Sequence, residues 1–538
     1  AFEAAPGCRG LVLLKHGLFT WGETARESYE LHVELVDLAE RWLAGRRRRS
    51  RTAPKPPEPP VPADPAESAE IGATAAMAAI IAPILRGRLA QETDDPDRPW
   101  RRLIVEWSGH AGEDAEALEW VNGEELPRLA RTPPLTPDHV IRTKAQPLVV
   151  APPVAESSSS AEAWRAAIER ELDRYVADYR AYFEAGVASR GPRQPLDPLP
   201  RVVLVPGVGM FTAGPSAKEA RIAADIYRHT LRVKRLVHET GEYEGLPDLD
   251  LFDVEYWSLE QAKLGKGSER PLARQVALVT GAAGALGSAI AERLLAAGAH
   301  VALLDVDERA VTAAAARLAA RYGGAAVEAV VHDVTGEVST ARAFAQVARR
   351  FGGLDVAVAN AGIACAAPLH ELDLGDFRRV QEVNATGVFL TLREAARLMR
   401  RQGTGGNVIV VSSKNVFAPG AEFAAYSASK AAAAQLGKVA ALDLAADGIR
   451  VNSVNPDAVF GTAEIPSGLW QAVGPERARA RGVSLEELAD AYRRRSLLKL
   501  RVTGEHVGNA VVFFASNLTP TTGATLPVDA GLPEAFPR

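Results

Sequence analysis

A tyrosine and a lysine four residues apart are the side chains of this sequence best suited to acid–base chemistry. Tyr426 and Lys430 stand in the run YSASK, and on a helix this spacing places both side chains on one face. A free tyrosine has a pKa near 10 and is a poor base at neutral pH, but a neighbouring ammonium favours its phenolate. Ser413 lies 13 residues before Tyr426, at the end of the apolar run NVIVVSS, where it can hold a substrate oxygen. The three residues predict proton exchange with a substrate.

A glycine-rich turn predicts a second feature, a site for a pyrophosphate. The run VALVT reads as a strand, and Gly281, Gly284 and Gly287 follow it where a helix opens. Glycines let the backbone approach a pyrophosphate, and a helix N-terminus supplies free N–H groups and a positive dipole.

Asp305 ends the next predicted strand, 24 residues after Gly281. A carboxylate there accepts hydrogen bonds from a ribose 2′-hydroxyl and repels a 2′-phosphate. No Lys or Arg stands in the glycine turn or directly after Asp305. The sequence therefore predicts NAD rather than NADP as the cofactor.

Regularly alternating strands and helices must position these side chains. From 275 to 532 the apolar runs QVALVT, HVALLDV, AVEAVVHDV, LDVAVANAG, NVIVVSS, IRVNSVNP and TLPVDAG alternate with helical segments. Buried strands alternating with helices predict a parallel sheet covered on both faces. We expect an α/β protein with a Rossmann-type, doubly wound domain at 270–538.

Composition limits the remaining possibilities. The chain has 538 residues, 47% of them hydrophobic and 24% charged, which predicts about three globular domains or subdomains. A net charge of −5 favours no nucleic-acid partner, and the apolar segment 71–85 is too short for a membrane span. Two distant cysteines and no secretory signal fit the cytoplasm.

The part of the chain before residue 270 divides at a segment rich in proline and arginine. We expect one strand and a helix at about 23–44 within 1–45, a stiff linker at 46–68, and a mixed α/β region at 69–265. Two interpretations of TPDHVIRTK, which includes Lys144, remain open: it binds a phosphorylated intermediate or it packs between domains. The start at Ala1, almost directly before the strand-like run RGLVLL, resembles a start inside a domain.

Several motifs in the C-terminal half resemble those of the short-chain dehydrogenase/reductase family. They are TGAAGALG, HDV (332–334), NAG (360–362), Asn384 in EVNATGVF, VSS (411–413), YSASK (426–430) and RVNSVNP (450–456). The resemblance implies that Tyr426 is the catalytic acid/base, that Lys430 lowers its pKa and binds the ribose, and that Ser413 orients the substrate. Asn384 would support a proton relay.

The same resemblance implies a set of residues that contact the cofactor. They are Gly281, Gly284, Leu286, Gly287, Asp305, Asp333, Val334, Asn360, Gly362 and Thr462. Asp333 and Val334 would contact the adenine, and Asn360 and Gly362 would line the cleft.

Two positions depart from the family pattern. Ala285 replaces a usual glycine, and Asp457 follows Pro456 where glycine is usual, so that Thr462 comes one residue late. The segment 461–500 is an expected helical insertion over the mouth of the site. Its Trp470 and the run LADAYRRRSLLKLR either shape substrate selection or form a lid surface.

His16 is a candidate metal ligand near the start of the chain. The run LLKHGLFTWGETARESYE resembles the C-terminal part of a class II aldolase, or adducin-like, domain, in which a histidine at this position binds zinc. That family's zinc polarises an enediolate and needs a His-x-His pair upstream. The ten histidines here include no such pair. We expect His16 to be a remnant ligand, and zinc only if the missing half of the domain were present.

The order of parts resembles bifunctional rhamnulose-1-phosphate aldolase/short-chain dehydrogenase proteins. The resemblance implies rhamnose catabolism, with NAD-linked oxidation of lactaldehyde to lactate. We expect an NAD-dependent dehydrogenase of a small hydroxy or aldehyde substrate, fused to an incomplete aldolase module, and a homo-oligomer. Two alternatives remain: a fully bifunctional enzyme if upstream residues exist, or a polyol or hydroxyacid dehydrogenase with a non-catalytic binding or assembly module.

Overall fold

The computed structural model describes residues 5, 7–14, 17–46, 72–96, 98–109, 115–136, 139–153, 160–259 and 269–536. The expectations for His16 and for nearly all of the linker at 46–68 lie outside the described residues.

The first described segment is a β-hairpin followed by a helix. Strands β1 (Gly10–Leu13) and β2 (Gly17–Thr20) pair antiparallel, and helix α1 (Ala25–Ala44) follows. The Thr24 side chain caps α1 by accepting a hydrogen bond from the Glu27 N–H. The sequence predicted one strand here. The chain instead forms two, because GLFT satisfies the backbone hydrogen-bonding groups of β1.

A four-stranded sheet and its helices form the middle region. The elements are α2 (Ala73–Arg88), β3 (Gln91–Glu92), β4 (Trp100–Arg101), β5 (Ile104–Ser108), α3 (Ala115–Val121), α4 (Leu126–Leu129), α5 (Val140–Thr143), β6 (Leu148–Val149), α6 (Ala161–Arg190), β7 (Val202–Val205), β8 (Gly209–Gly214), α7 (Ala217–Thr240) and α8 (Asp248–Glu255). The strand order is β5-β8-β7-β6, and only β6 and β7 run parallel. Strand β8 was not predicted, since its glycines at both ends resemble a turn.

A seven-stranded sheet forms the C-terminal domain. The elements are β9 (Val276–Thr280), α9 (Ala285–Ala296), β10 (His300–Asp305), α10 (Glu308–Tyr322), β11 (Val327–Val331), α11 (Glu337–Phe351), β12 (Val356–Ala359), α12 (Leu374–Gln381), α13 (Gly387–Gln402), β13 (Gly406–Val411), α14 (Ala424–Leu444), β14 (Ile449–Pro456), α15 (Gly468–Ala480), α16 (Leu485–Arg495), α17 (Gly504–Ala515) and β15 (Thr525–Val528). A π-helical turn, Glu382–Thr386, precedes α13.

The strand order of this sheet defines where a ligand binds. The order is β11-β10-β9-β12-β13-β14-β15, and every neighbouring pair is parallel. Helices α9, α10 and α17 cover one face, and α11, α13 and α14 cover the other. The predicted α/β class with a Rossmann-type sheet is confirmed. Because the strand order reverses between β9 and β12, a crevice opens there at the carboxyl ends of the strands.

Helix α2 joins the middle region to the C-terminal domain. It packs against both α11 and α13. Ala79 of α2 and Ile104 of β5 belong to the same buried cluster as Phe344 and Leu392 of the C-terminal domain. The apolar segment that is too short to span a membrane therefore forms a helix of the hydrophobic core, and this core is shared by the middle region and the C-terminal domain.

A buried ion pair lies at the centre of this contact. Arg86 is fully buried, and its guanidinium donates to both carboxylate oxygens of Asp355 at 3.0 and 2.6 Å. The same guanidinium donates to the carbonyls of Leu103 and Arg274 and to the Gln402 side chain, each at 2.9 Å. Every charged group in the contact is thereby hydrogen-bonded, which is the condition under which a buried ion pair is tolerated.

Asp355 is held by a second cation and by the backbone. Arg102 Nε lies 3.0 Å from its Oδ1, and the Val276 N–H donates to its Oδ2 at 2.7 Å. Burial alone would raise the pKa of Asp355, but the Arg86 and Arg102 guanidiniums outweigh it and lower the pKa to about 2. Asp355 is therefore ionised throughout the physiological range.

Replacing Arg86 by Gln should lower the free energy of unfolding by roughly 3–5 kcal/mol, because it leaves the Asp355 carboxylate buried without its main partner. Arg88→Gln is the matched control, since Arg88 pairs with Glu169 at the surface, and its loss should cost no more than about 1 kcal/mol. Urea unfolding followed by tryptophan fluorescence measures both. Equal losses in the two variants would show that the buried pair has no special role.

Candidate active site

A large cavity opens at the carboxyl ends of the central strands. Its volume is about 1440 Å³, and its walls come from the glycine turn after β9, the ends of β10 and β12, the start of α14, and the insertion helices α15 and α16. Typical small-molecule pockets measure about 300–1,000 Å³. The cavity is therefore large enough for a dinucleotide and a substrate side by side.

The glycine turn is shaped by close contacts on one side and open space on the other. Gly281 has φ +63°, and a Cβ there would lie 2.9 Å from the Ala361 Cα. A Cβ on Gly287 would lie 2.2 Å from the Gly281 carbonyl oxygen. Gly284 is different, because a Cβ there meets nothing closer than 3.6 Å. That side of the turn faces the cavity at the start of α9, where a phosphate could approach the backbone.

Two carboxylates line the cavity at the ends of β10 and β11. Asp305 accepts from the Ala283 N–H at 3.0 Å and from the Asp307 N–H at 3.2 Å. Asp333 accepts from the Thr335 N–H and hydroxyl, and these hydrogen bonds lower its pKa. Leu286 and Val334 line the same cavity.

Asn360 joins the glycine turn to the next strand. Its side chain donates to the Thr280 carbonyl at 2.9 Å, and its N–H donates to the Thr280 hydroxyl at 3.0 Å. These bonds hold the end of β12 against the end of β9, so that Gly362 lies in the cavity wall.

Tyr426, Lys430 and Ser413 meet in the same cavity. The Lys430 Nζ lies 5.9 Å from the centroid of the Tyr426 ring and donates to the Val411 carbonyl at 2.9 Å. Burial lowers the pKa of Lys430 to about 8. Burial also raises the pKa of Tyr426, and its hydrogen bond with Ser413 opposes part of that rise. The phenol thus needs a further positive charge nearby before it can act as a base at neutral pH.

Asn384 lies behind the cavity rather than in its wall. It is fully buried in the π-helical turn, where its Oδ1 accepts from the Ile363 N–H at 2.9 Å. Its Nδ2 donates to the Ile363 carbonyl and to the Ser429 hydroxyl, each at 2.9 Å. A Cβ on Gly362 would lie 3.2 Å from Lys430 Nζ and 3.3 Å from Asn384 Oδ1. Asn384 therefore positions the loop beside Lys430.

Thr462 lies apart from the other residues that were predicted to contact the cofactor. It is exposed, its hydroxyl accepts from the Ile465 N–H at 3.0 Å, and it does not line the cavity. The following segment, 466–471, lines the cavity instead. The physical reason is the tight loop at Gly461–Pro466, which turns the Thr462 side chain back onto its own backbone.

The insertion helices α15 and α16 cover the mouth of the cavity, as the sequence predicted. The rings of Phe460, Trp470 and Tyr492 meet edge to face, with centroids 4.6, 5.8 and 6.1 Å apart. Asp457 forms an ion pair with Arg495 of α16. This pair explains the aspartate that replaces the usual glycine, because it fastens the insertion to the end of β14.

Among the charged side chains that line the cavity, Lys414 and Arg477 were not recognised from the sequence. Lys414 directly follows Ser413, which was a usable signal. Arg477 lies in the arginine-rich run PERARARG, where nothing in the pattern distinguishes it from its exposed neighbours.

Lys144 of the middle region is an internal residue. Its Nζ donates to the Tyr179 hydroxyl at 2.9 Å and lies 3.3 Å from Glu255 Oε1. Burial lowers the pKa of Lys144, and the Glu255 carboxylate opposes that shift. Of the two interpretations of TPDHVIRTK, these contacts favour packing for Lys144.

The described segments contain neither a metal-binding cluster nor a membrane-spanning helix. Within those segments no group of three or more His, Cys, Asp or Glu side chains is arranged to hold a metal ion. None of the described helices is both long and apolar enough to cross a bilayer.

Comparison with known proteins assigns a family to each part of the chain. The second domain of class II aldolases matches residues 76–264, and the short chain dehydrogenase family matches residues 275–466. The uncharacterized oxidoreductase YuxG of Bacillus subtilis (strain 168) is 33% identical over 533 residues, which cover 98% of this chain and 73% of that protein.

Two further relatives match the C-terminal domain. Cis-4-hydroxycyclohexanecarboxylate dehydrogenase of Sinomonas cyclohexanicum is 40% identical over 263 residues, covering 48% of this chain and 96% of that protein. Glucose 1-dehydrogenase of Gluconobacter oxydans (strain 621H) is 36% identical over 258 residues, covering 47% and 90%. The fold and the site define an oxidoreductase of the short-chain dehydrogenase class.

The chain belongs to the family of oxidoreductases in which a class II aldolase domain is fused to a short-chain dehydrogenase. The resemblances to the class II aldolase and short-chain dehydrogenase families are confirmed.

Replacing Lys430 by Met should raise the pKa that limits kcat/KM towards the value of about 10 for free tyrosine, and lower turnover at pH 7 by roughly 100-fold. Below about pH 8 the wild-type ammonium is present and favours the phenolate. The control is Lys438→Met, an exposed lysine two turns along α14 that does not line the cavity. A pH profile of nicotinamide-cofactor reduction measures the effect. Tyr426→Phe should abolish turnover, and retained turnover would contradict the assignment.

Proposed function

We propose that the C-terminal domain oxidises a hydroxyl group of a small substrate to a carbonyl, using NAD. The observation that carries this proposal is the meeting of Ser413, Tyr426 and Lys430 in one cavity with the glycine turn. Such a cavity offers a proton acceptor and a dinucleotide site together, which is what alcohol oxidation requires.

The protein's own groups divide the work of proton transfer. Tyr426 takes the proton of the substrate hydroxyl, Ser413 holds the oxygen, and the Lys430 ammonium favours the phenolate. A bound nicotinamide supplies the acceptor for the hydride that leaves the same carbon. The O–H and C–H bonds break, a carbonyl forms, and the proton passes through Tyr426 to solvent.

The dinucleotide would lie along the ends of the central strands. The open side of Gly284 and the N-terminus of α9 would receive the pyrophosphate. Asp305 would accept from the ribose hydroxyls, Asp333 and Val334 would contact the adenine, and Gly362 would line the path to Tyr426.

Hydroxylated substrates are the better supported class. The relatives act, by name, on a hydroxycyclohexanecarboxylate and on glucose. Lactaldehyde, the substrate implied by the rhamnose resemblance, would fit this chemistry as its hydrate, whose carbon carries both a hydrogen and a hydroxyl. We assign no catalytic step to the middle region and propose that it supports the dehydrogenase through α2.

Replacing Asp305 by Ser should raise the ratio of NADP to NAD efficiency by roughly 10- to 100-fold, because the carboxylate that repels a 2′-phosphate is gone. Steady-state kcat/KM for both cofactors measures this ratio. Glu308→Ser is the control, since it removes a carboxylate from the first turn of α10 that does not line the cavity. A wild-type protein that prefers NADP, or uses both cofactors equally, would refute the NAD assignment.

A further inference from the structure

The substrate end of the cavity carries an excess of uncompensated positive charge. Four cations line the walls there: Lys414, Arg477, Arg481 and Arg495. Three carboxylates line the same end: Glu422, Asp457 and Glu534. Only Arg495 is paired with one of them, Asp457, in the described chain.

Arg477 is the cation in this group that most clearly lacks an anionic partner. Its guanidinium lies 4.6 Å from the centroid of the Phe423 ring and 6.0 Å from that of Tyr492. Its Nε is buried without a hydrogen-bond acceptor, and no carboxylate of the described residues forms an ion pair with it. Aromatic faces hold the guanidinium in place but leave its N–H groups without acceptors.

Lys414 adds a second positive charge close by. It follows Ser413, is half-buried, and donates to the Ala418 carbonyl at 2.9 Å without forming an ion pair with any described carboxylate. Burial lowers the pKa of Lys414, the charges of Arg495 and Arg477 lower it further, and the carboxylates of Asp457 and Glu534 oppose them. Two cations that repel each other across one cavity are stabilised when an anion lies between them.

The position of Arg477 relates this charge to the reacting groups. The Phe423 ring packs against the Arg477 guanidinium, and its centroid lies 6.0 Å from the centroid of the Tyr426 ring. One aromatic ring therefore separates the cation from the acid/base. That arrangement suits a substrate whose anionic group lies a few carbons from the carbon that is oxidised.

We propose that the substrate carries an anionic oxygen group, a carboxylate or a phosphate, which Arg477 binds and Lys414 attracts. The proposal rests on the dehydrogenase function above and narrows its substrate to hydroxy acids and phosphorylated polyols. Neutral molecules such as lactaldehyde would lack the group that Arg477 recognises. A guanidinium suits both anions, since its N–H groups can donate to two oxygens of either.

Equilibrium binding to a protein that cannot turn over tests this directly. The background is Tyr426→Phe saturated with NAD, and calorimetry measures two matched pairs of probes. One pair is cis-4-hydroxycyclohexanecarboxylate and its neutral carboxamide; the other is sorbitol 6-phosphate and sorbitol. The variants are Arg477→Gln and, as a control, Arg479→Gln, which removes an exposed arginine of the same helix that does not line the cavity.

We expect at least one anionic probe to bind roughly 10- to 100-fold more tightly than its neutral partner. Arg477→Gln should remove that preference, and Arg479→Gln should keep it. The pair that shows the preference identifies the anion as carboxylate or phosphate.

Equal binding of the charged and neutral partners, or no binding of either anion at millimolar concentration, would overturn the proposal. So would an Arg477→Gln variant that keeps the preference. If Arg477→Gln weakened NAD binding instead, the guanidinium would belong to the cofactor site and the proposal would be wrong. Failure of the dehydrogenase function is separate, because it would appear as a protein that does not bind NAD at all.

Discussion

The ion pair between Arg86 and Asp355 joins the middle region to the C-terminal domain at the base of two strands that lead to the candidate active site. Asp355 directly precedes β12, and its carboxylate accepts from Val276, the first residue of β9. At their other ends, β12 and β9 are followed directly by Asn360 and Gly281. A helix of the aldolase-type region thus fixes the starts of the strands whose ends form the proposed cofactor site. Single buried charges are costly, so the pair stabilises the fold only while both members and their hydrogen bonds remain.

Much of the C-terminal domain could be predicted from the sequence because its signals are local. The glycine turn, the strand-helix alternation and the YSASK spacing each depend on residues close together in the chain, and the parallel sheet and the meeting of Tyr426 with Lys430 follow from them. The role of Arg86 could not be read in the same way. It lies in the last turn of an apolar helix, and its partner lies 269 residues away. A basic residue at a helix C-terminus usually only complements the helix dipole.

The insertion over the cavity shows a different limit of sequence analysis. Its position and helical content were predictable, but Thr462 faces away from the site because of a tight turn that no pattern indicated. Asp457 departs from the family pattern, and the structure gives it a partner in Arg495. Such departures are compensated by contacts within the same chain, and single residues cannot be carried over from a family without those contacts.

The charge distribution gives the cavity two distinct ends. Carboxylates near the glycine turn suit the hydroxyls of a ribose, whereas cations and aromatic rings under the insertion suit a second, anionic ligand. Tyr426, the proposed acid/base, lines the same cavity. Burial raises the pKa of Tyr426, and its hydrogen bond with Ser413 opposes part of that rise. The residues proposed to bind the anionic group are therefore distinct from those proposed to transfer the proton.

We propose that NAD binds to a domain that folds as one unit with the aldolase-type region. Differential scanning calorimetry of the full chain, with and without NAD, tests it most directly. The account predicts one transition for both regions that shifts to higher temperature as the NAD concentration rises, because ligand binding stabilises the folded state of the whole unit. Two separate transitions of which NAD shifts only one, or no shift with NAD, would contradict it.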